Sequence, residues 1–187
     1  MGRLILFLLI LAGIAYLMPS PVTHHEASVE INAPRERVWQ ALSDLKGWSR
    51  WNEDVDSTGF VTDQQDGLGT QMRLDGKFMT IYETVTAWEP YNRIEVSVKL
   101  RPNLTEDHVM RYTMAPEFDR TTVKVEEDYK MRGGYLGHAL DVLAFGRMRD
   151  GFRGPAMGYL KRLAETGVGM GTSLRYPEPK KAAPLHS

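Results

Sequence analysis

Two glutamates lie within otherwise apolar faces of predicted strands, which points to acid–base chemistry or to a contact with a polar ligand group. Side chains alternate between the two faces of a strand, and over residues 79–87 and 123–131 this alternation places Glu83 and Glu127 among apolar neighbours. A buried carboxyl group must be hydrogen-bonded, solvated or neutral, because an unpaired buried charge is costly. A bulge or strand end that returns each glutamate to solvent is the alternative interpretation.

Two tyrosines, Tyr112 and Tyr129, share these inward faces, and His108 stands at the start of the strand that carries Tyr112. A carboxylate base and a phenol acid facing one cavity would suit general acid–base catalysis. The candidate catalytic residues are therefore Glu83, Glu127, Tyr112 and Tyr129, and none is assigned a role. Glu83 and Glu127 belong to strands separated by others in a simple meander, so we expect no direct contact between them.

The chain lacks the residues and motifs that several other kinds of functional site require. The chain has no cysteine, which excludes disulfides and thiolate metal sites. We find no phosphate loop, zinc-protease pair or serine-hydrolase motif. The run from His24 to Glu26 is interpreted as part of a linker, without the geometry that a metal site needs. With 23 basic and 24 acidic residues the net charge is −1, which gives no drive towards nucleic acid. We therefore expect no metal, no cofactor and no nucleic-acid partner.

The elements that must position these residues follow from the periodicities. The pattern predicts a strand at residues 27–33, a helix opened by Pro34, a short second helix at residues 48–51, six further strands and a long helix from 137 to about 165. One sheet has to bury one face, and a single long helix has to cover it. The expected fold is therefore α+β, with a curved antiparallel sheet around the last helix.

A curved sheet around one helix leaves a space that side chains need not fill, and the inward residues are rich in methionine and aromatic groups. We expect this space to hold a ligand, with ordinary core packing as the alternative. The predicted ligand-binding residues are Met79, Ile81, Glu83, Val96, Val98, Met110, Tyr112, Val125, Glu127, Tyr129, Leu143 and Phe152.

The N-terminus carries fifteen apolar residues without a charge, from Leu4 to Met18. As a helix, residues 1–18 would reach about 27 Å, close to the thickness of a thin bilayer. We predict a single-pass membrane anchor at residues 1–21, with a cleaved signal or a core helix as alternatives. The positive charge of Arg3 favours an orientation with the N-terminus inside and the folded domain on the extracytoplasmic side. Residues 22–26 are predicted as a linker, 27–166 as the folded domain and 167–187 as a flexible tail.

Two stretches of sequence resemble a known superfamily. Residues 29–39 read VEINAPRERVW and are followed by Leu42-Ser43-Asp44 and the Trp48/Trp51 pair, while residues 85–93 read VTAWEPYNR. This pattern is similar to the START-like (SRPBCC) helix-grip superfamily, and more narrowly to its polyketide cyclase/dehydrase-like bacterial branch. The resemblance implies a seven-stranded antiparallel sheet wrapped around the C-terminal helix, enclosing a hydrophobic cavity for lipids, sterols, polyketides or similar ligands.

Three functions fit these observations. We favour a non-catalytic, membrane-tethered domain that binds or transfers a small lipophilic ligand. The second is a polyketide cyclase, dehydratase or isomerase that uses a cavity carboxylate and a tyrosine. The third is a protein-interaction module, which predicts an exposed apolar patch around Phe78 and Tyr82. The resemblance transfers no catalytic residue to this chain, because the catalytic groups differ between branches of the superfamily.

Overall fold

The protein is described by a computed structural model covering residues 2–53, 55–76 and 79–169, with the side chains of residues 144–154 left aside. The helices are α1 (Gly2–Leu17), α2 (Arg35–Ser43), a 3₁₀ helix (Leu45–Arg50), α3 (Gly134–Leu140), a π-helical segment (Asp141–Phe145) and α4 (Gly146–Thr166). The strands are β1 (Val22–Ile31), β2 (Ser57–Phe60), β3 (Gln71–Asp75), β4 (Thr80–Glu89), β5 (Arg93–Arg101), β6 (Thr105–Glu117) and β7 (Arg120–Met131).

All seven strands form one antiparallel sheet with the order β1-β7-β6-β5-β4-β3-β2. Strands β2 to β7 follow one another as a meander, and β1 closes the sheet by pairing with β7. The two short helices between β1 and β2 are present as expected. The predicted helix-grip α+β fold, with seven strands and a C-terminal helix against the sheet, is confirmed.

One end of the sheet's inner face is a continuous apolar core. Helix α2 begins directly after Pro34 and buries Val38, Trp39 and Leu42 against the sheet and α4. The spacing of these three residues gives α2 one apolar side, as the sequence predicts. From α4, Leu160 and Ala164 fill the same core. This end of the inner face is closed by hydrophobic packing.

The linker prediction for residues 22–26 is wrong, because β1 begins at Val22 and pairs with β7 from Val22 opposite Lys130 onwards. The long β7 supplies backbone partners for these residues, which lack the apolar alternation that marks a buried strand. Their side chains do alternate: His24 and Glu26 are exposed, whereas His25 is half-buried on the inner face. A histidine assigned to a flexible stalk therefore lies inside the fold.

The C-terminal helix departs from a single helix over residues 137–165. It begins earlier, at Gly134, and is interrupted by the π-helical segment before α4 continues through Pro155. A π-helical turn takes more residues than an α-turn, so the faces after it are rotated relative to a 3.6-residue pattern. Leu143 lies within this segment and is 73% exposed, so its assignment to the cavity lining is wrong. Of the tail predicted at residues 167–187, positions 170–187 lie outside the described residues.

Helix α1 is apolar from Leu4 to Leu17, and all its side chains are exposed or half-buried. Within the described residues, no helix combines the length and the apolarity needed to cross a membrane. The C-terminal end of α1 packs against the start of α3 through Gly134, which has φ +60°. A Cβ on Gly134 would overlap the carbonyl oxygen of Met18. Glycine is therefore required where these two helices meet.

We expect Gly134→Ala to open the contact between α1 and α3, because both the positive φ and the approach of the α1 carbonyls exclude a side chain. Hydrogen exchange of the α3 amides should accelerate at least tenfold, while the central strands stay protected. Gly59→Ala is the matched control, since a Cβ at Gly59 meets open space. Equal α3 exchange in the two variants would contradict this packing.

Candidate functional site

The other end of the inner face, where β1, β6 and β7 meet α3 and the π-helical segment, is polar. We call this set of side chains the buried polar cluster, and it comprises Thr23, His25, Thr105, His108, Glu127, Tyr129, His138 and Asp141. Alternation brings the strand residues of the cluster to one face of the sheet. Titratable groups gathered in a fold interior are typical of a functional site.

In the first half of the cluster, His108 and Glu127 form a buried pair. Nε2 of His108 lies 2.6 Å from Oε1 of Glu127, and the side chains are only 4% and 6% exposed. The hydroxyl of Thr105 lies 3.2 Å from Nδ1 of the same ring. Both nitrogens of His108 are thus occupied within the protein. The pair is suited to hold Glu127 in place, because a buried carboxylate needs such a partner.

The second half of the cluster joins the sheet to the π-helical segment. The hydroxyl of Tyr129 donates a 2.5 Å hydrogen bond to Oδ2 of Asp141, and these residues are 0% and 1% exposed. Nε2 of His25 lies 3.3 Å from the same hydroxyl, and its ring stacks on Tyr129 with centroids 6.0 Å apart. The rings of His108 and Tyr129 are 5.3 Å apart, so the two halves are in contact. This network fixes where the C-terminal helix crosses the sheet.

Glu83 stands apart from the cluster on the same inner face. It lies on β4 between Met72 of β3 and Val98 of β5, and it is 4% exposed. No hydrogen-bond partner for its Oε2 atom exists among the described residues. Burial raises the pKa of Glu83 to about 8. At neutral pH the group is therefore mostly a neutral acid, able both to donate and to accept a hydrogen bond.

The structure brings Glu127 and Tyr129 together but leaves Glu83 and Tyr112 outside the cluster. Strands β5 and β6 separate Glu83 from Glu127, as the meander predicts. Tyr112 lies in the apolar core instead, with its ring 5.4 Å from that of Trp48 and 6.2 Å from that of Trp51. The tryptophans of the 3₁₀ helix and of the turn after it pack on this tyrosine.

The remaining predicted ligand-binding residues differ in how deeply they are buried. Val96, Val98 and Val125 are buried. Met79, Ile81 and Met110 are half-buried. The side chain of Phe152 lies outside the described part of the chain, and Leu143 faces solvent. Apolar side chains therefore adjoin Glu83, with Ile81 and Val98 close to it on β4 and β5.

Five members of the cluster were not predicted from the sequence, namely Thr23, His25, Thr105, His138 and Asp141. Asp141 could have been found, because it is the one acid in a helical stretch whose neighbours are Leu140, Val142 and Leu143. His25 shares the alternation of β1, but it stood in a segment assigned to a linker. Thr105 offers no signal in the sequence, since its contact with His108 depends on the bulge between Glu106 and Val109 of β6.

A possible ligand set for a cation lies on the outer face, where His24, Glu26 and Glu126 are within 4.8 Å of one another. Lys124 already lies 3.0 Å from Glu26 and 3.1 Å from Glu126. The hydrogen bond to Asp128 raises the pKa of His24, which favours its protonated form over a metal ligand. These contacts form an exposed ion-pair network, and they carry no metal assignment.

Comparison with protein families identifies the relationship. The model of the family described as "Polyketide cyclase / dehydrase and lipid transport" matches residues 22–165. The chain belongs to this family. Membership indicates ligand binding or a polyketide cyclase-type function, and proteins of this family generally bind small hydrophobic ligands. The matched residues include the whole sheet and almost all of α4. No curated protein sequence matches the chain.

Solved structures share the fold of the family. A protein from Nitrosospira multiformis has 18% identity and a TM-score of 0.61, over 78% of this chain and 98% of that one. A START superfamily protein from Mycobacterium smegmatis has 18% identity and a TM-score of 0.58, over 75% and 98%. The ZhuI aromatase/cyclase from Streptomyces sp. R1128 has 14% identity and a TM-score of 0.58, over 80% and 99%. These likenesses extend to the fold.

Proposed function

We propose that this domain binds or transfers a small lipophilic molecule and that Glu83 contacts the polar group of that ligand. The supporting observation is a carboxyl group that is 4% exposed and has an oxygen with no hydrogen-bond partner among the described residues. A buried polar atom without a partner is costly, and a ligand hydroxyl or carbonyl would remove that cost. The apolar neighbours Met72 and Val98 suit a lipophilic body.

The buried polar cluster supports binding more than catalysis. His108 is engaged at both ring nitrogens, and the hydroxyl of Tyr129 is engaged by Asp141. Groups already bonded to one another are positioned to hold the helix on the sheet, whereas a general acid or base must reach the substrate. The cluster would therefore shape the ligand site without contacting reacting atoms.

A cyclase or dehydratase is the second candidate, and the pKa of about 8 for Glu83 favours it. An acid–base catalyst works best with a pKa near the operating pH. In that case Glu83 would exchange a proton with the ligand it contacts. The interaction module lacks comparable support, because Tyr82 is half-buried with Arg101 5.5 Å from its ring centroid, and Phe78 lies outside the described residues.

We also propose that helix α1 tethers the domain to a membrane. Helix α1 carries apolar side chains on every face, and a helix of that kind is stable in lipid or within a protein core. Within the described part of the chain, the main contact of α1 is with α3. We therefore assign residues 1–21 to the membrane and, from Arg3, the body to the extracytoplasmic side.

The test is native mass spectrometry of the full chain purified from bacterial membranes in mild detergent, before and after solvent extraction. We expect a discrete extractable mass in the wild type. Glu83→Leu should lower its occupancy at least tenfold, because the polar contact is lost while the apolar volume is kept. Glu117→Leu, at the exposed end of β6, is the control. No extractable mass in the wild type would contradict ligand binding, and wild-type occupancy in Glu83→Leu would exclude Glu83 as the contact.

A further inference from the structure

We infer that the exposed apolar residues of α3 and the π-helical segment form, together with α1, one surface that contacts the hydrocarbon of a lipid bilayer. This inference rests on the tether proposed above and extends it from α1 to the folded domain. The relevant residues of the domain, which we call the α3 patch, are Tyr135, Leu136, Leu140, Val142 and Leu143.

The exposure of the α3 patch is unusual for the surface of a folded domain. Its five side chains are between 38% and 73% exposed within nine consecutive residues. Single exposed apolar residues are common, but a contiguous group of this kind marks an interaction site. Meanwhile Asp141 in the same segment is 1% exposed and points inward to Tyr129. The segment therefore presents a polar side to the buried polar cluster and an apolar side to its surroundings.

The α3 patch is continuous with α1. Gly134, at the start of α3, lies against the carbonyl oxygens of Ala15, Tyr16 and Met18, and the ring of Tyr16 lies beside Gly133. The last turn of α1 is the part that would leave a bilayer into which α1 inserts. Because α3 begins in contact with that turn, the α3 patch lies at the level of the membrane surface.

The composition of α1 selects lipid over a protein partner. Over residues 4–11 its side chains are exposed around the whole circumference, from Leu11 at 46% to Leu9 at 64%. A protein groove that binds one face of such a helix leaves the opposite face in water, whereas a bilayer surrounds all faces at once. The α3 patch adjoins α1 and is apolar as well, so the lipid bilayer that would surround α1 would also cover the patch.

Charged residues mark where the lipid contact ends. A surface pocket of about 310 Å³ lies between the end of α1 and the adjacent ends of β6 and β7, with Glu106, Lys130 and Arg132 among its lining residues. Arg132 pairs with Glu106 at 3.2 Å, and Lys130 pairs with Asp107 at 2.8 Å. Ion pairs of this kind suit the headgroup region and exclude deeper insertion of these strand ends.

The position of the α3 patch bears on how a ligand would enter and leave the domain. The segment that carries the α3 patch is the one whose Asp141 closes the buried polar cluster. It therefore stands between the bilayer and the inner face of the sheet. A lipophilic ligand would pass between membrane and domain at this segment without crossing water.

The experiment uses the absence of cysteine, which allows single-cysteine labelling of the full chain. Leu9→Cys, Leu143→Cys and Phe118→Cys each receive a nitroxide after reconstitution into vesicles of phosphatidylcholine and phosphatidylglycerol. Phe118 is the matched control, because it is fully exposed in the β6–β7 hairpin, at the other end of β7 from the strand's contact with Val22. Collision rates with oxygen, which partitions into lipid, are compared with those of a water-soluble nickel chelate.

We expect the oxygen-to-nickel ratio at positions 9 and 143 to exceed that at 118 several-fold. A ratio at 143 equal to that at 118, with a high ratio at 9, would overturn the α3 patch and leave the tether standing. A ratio at 9 equal to that at 118 would overturn the tether and the patch together. Protection of position 143 from both reagents would mean that a protein surface or a second copy of the chain covers the patch, and this would also overturn the inference.

Discussion

Replacing His108 by leucine is expected to lower the free energy of unfolding by about 3–5 kcal/mol, because it leaves Glu127 in the interior without the ring that lies 2.6 Å from its carboxylate. The loss includes the packing of the His108 ring against Tyr129, 5.3 Å away. It should be accompanied by faster hydrogen exchange at the ends of β6 and β7, where the pair lies. Urea unfolding of the full chain in mild detergent measures the difference.

The double variant His108→Leu/Glu127→Leu separates the pair from general damage. Replacing both partners by apolar groups removes the unpaired buried carboxylate, so the double variant should regain most of the stability lost in the single variant. His24→Leu is the matched control, since His24 also lies 2.6 Å from an acid, Asp128, but its side chain is 50% exposed. Exposed pairs contribute about 0–1 kcal/mol. A His108→Leu loss as small as that of His24→Leu would contradict a buried pair.

Glu83→Gln is expected to change how stability depends on pH. The folded state keeps the proton of Glu83 up to a pKa of about 8, whereas the unfolded state releases it near 4.5. Between these values the unfolded state binds fewer protons, so wild-type stability falls as pH rises. The amide cannot ionise, and the variant therefore lacks this loss. Its advantage over the wild type should grow by about 1.4 kcal/mol per pH unit and reach about 4–5 kcal/mol near pH 8.

The measurement is urea unfolding of both chains at intervals from pH 4 to pH 9. The difference between the two chains isolates Glu83, because every other titrating group is common to them. Glu117→Gln serves as the control for losing one carboxyl at an exposed position. A difference between Glu83→Gln and wild type that stays constant over this range would show that Glu83 is solvated in the folded state.

Much of the fold is predictable from the sequence. Alternation in β5 and β7 and the apolar spacing in α2 are strong periodic signals, and they follow from which face of each element is buried. The same alternation places Glu83 and Glu127 on the inner face, where both are buried. Predictions that depend on alternation within one strand therefore hold.

Predictions that depend on pairing between distant segments do worse. The sequence of residues 22–26 predicts a linker, but in the fold β7 supplies their backbone partners. The alternation around Tyr112 predicts a cavity residue, and in the fold Trp48 and Trp51 pack on its ring. The prediction for Leu143 is wrong for a local reason. The residue lies in the π-helical segment, which departs from the 3.6-residue period, and no residue type in the sequence signals that departure.

The sequence by itself determined the family, the sheet with its covering helix, and the two acids on the apolar face, since these follow from periodicity and local motif. Only the tertiary structure decided which groups meet. Glu127 meets His108 across a strand bulge, Tyr129 meets Asp141 across the junction of sheet and helix, and Glu83 meets neither. Side-chain contacts between distant segments depend on register and helical phase, and a shift of one residue in either would reassign them.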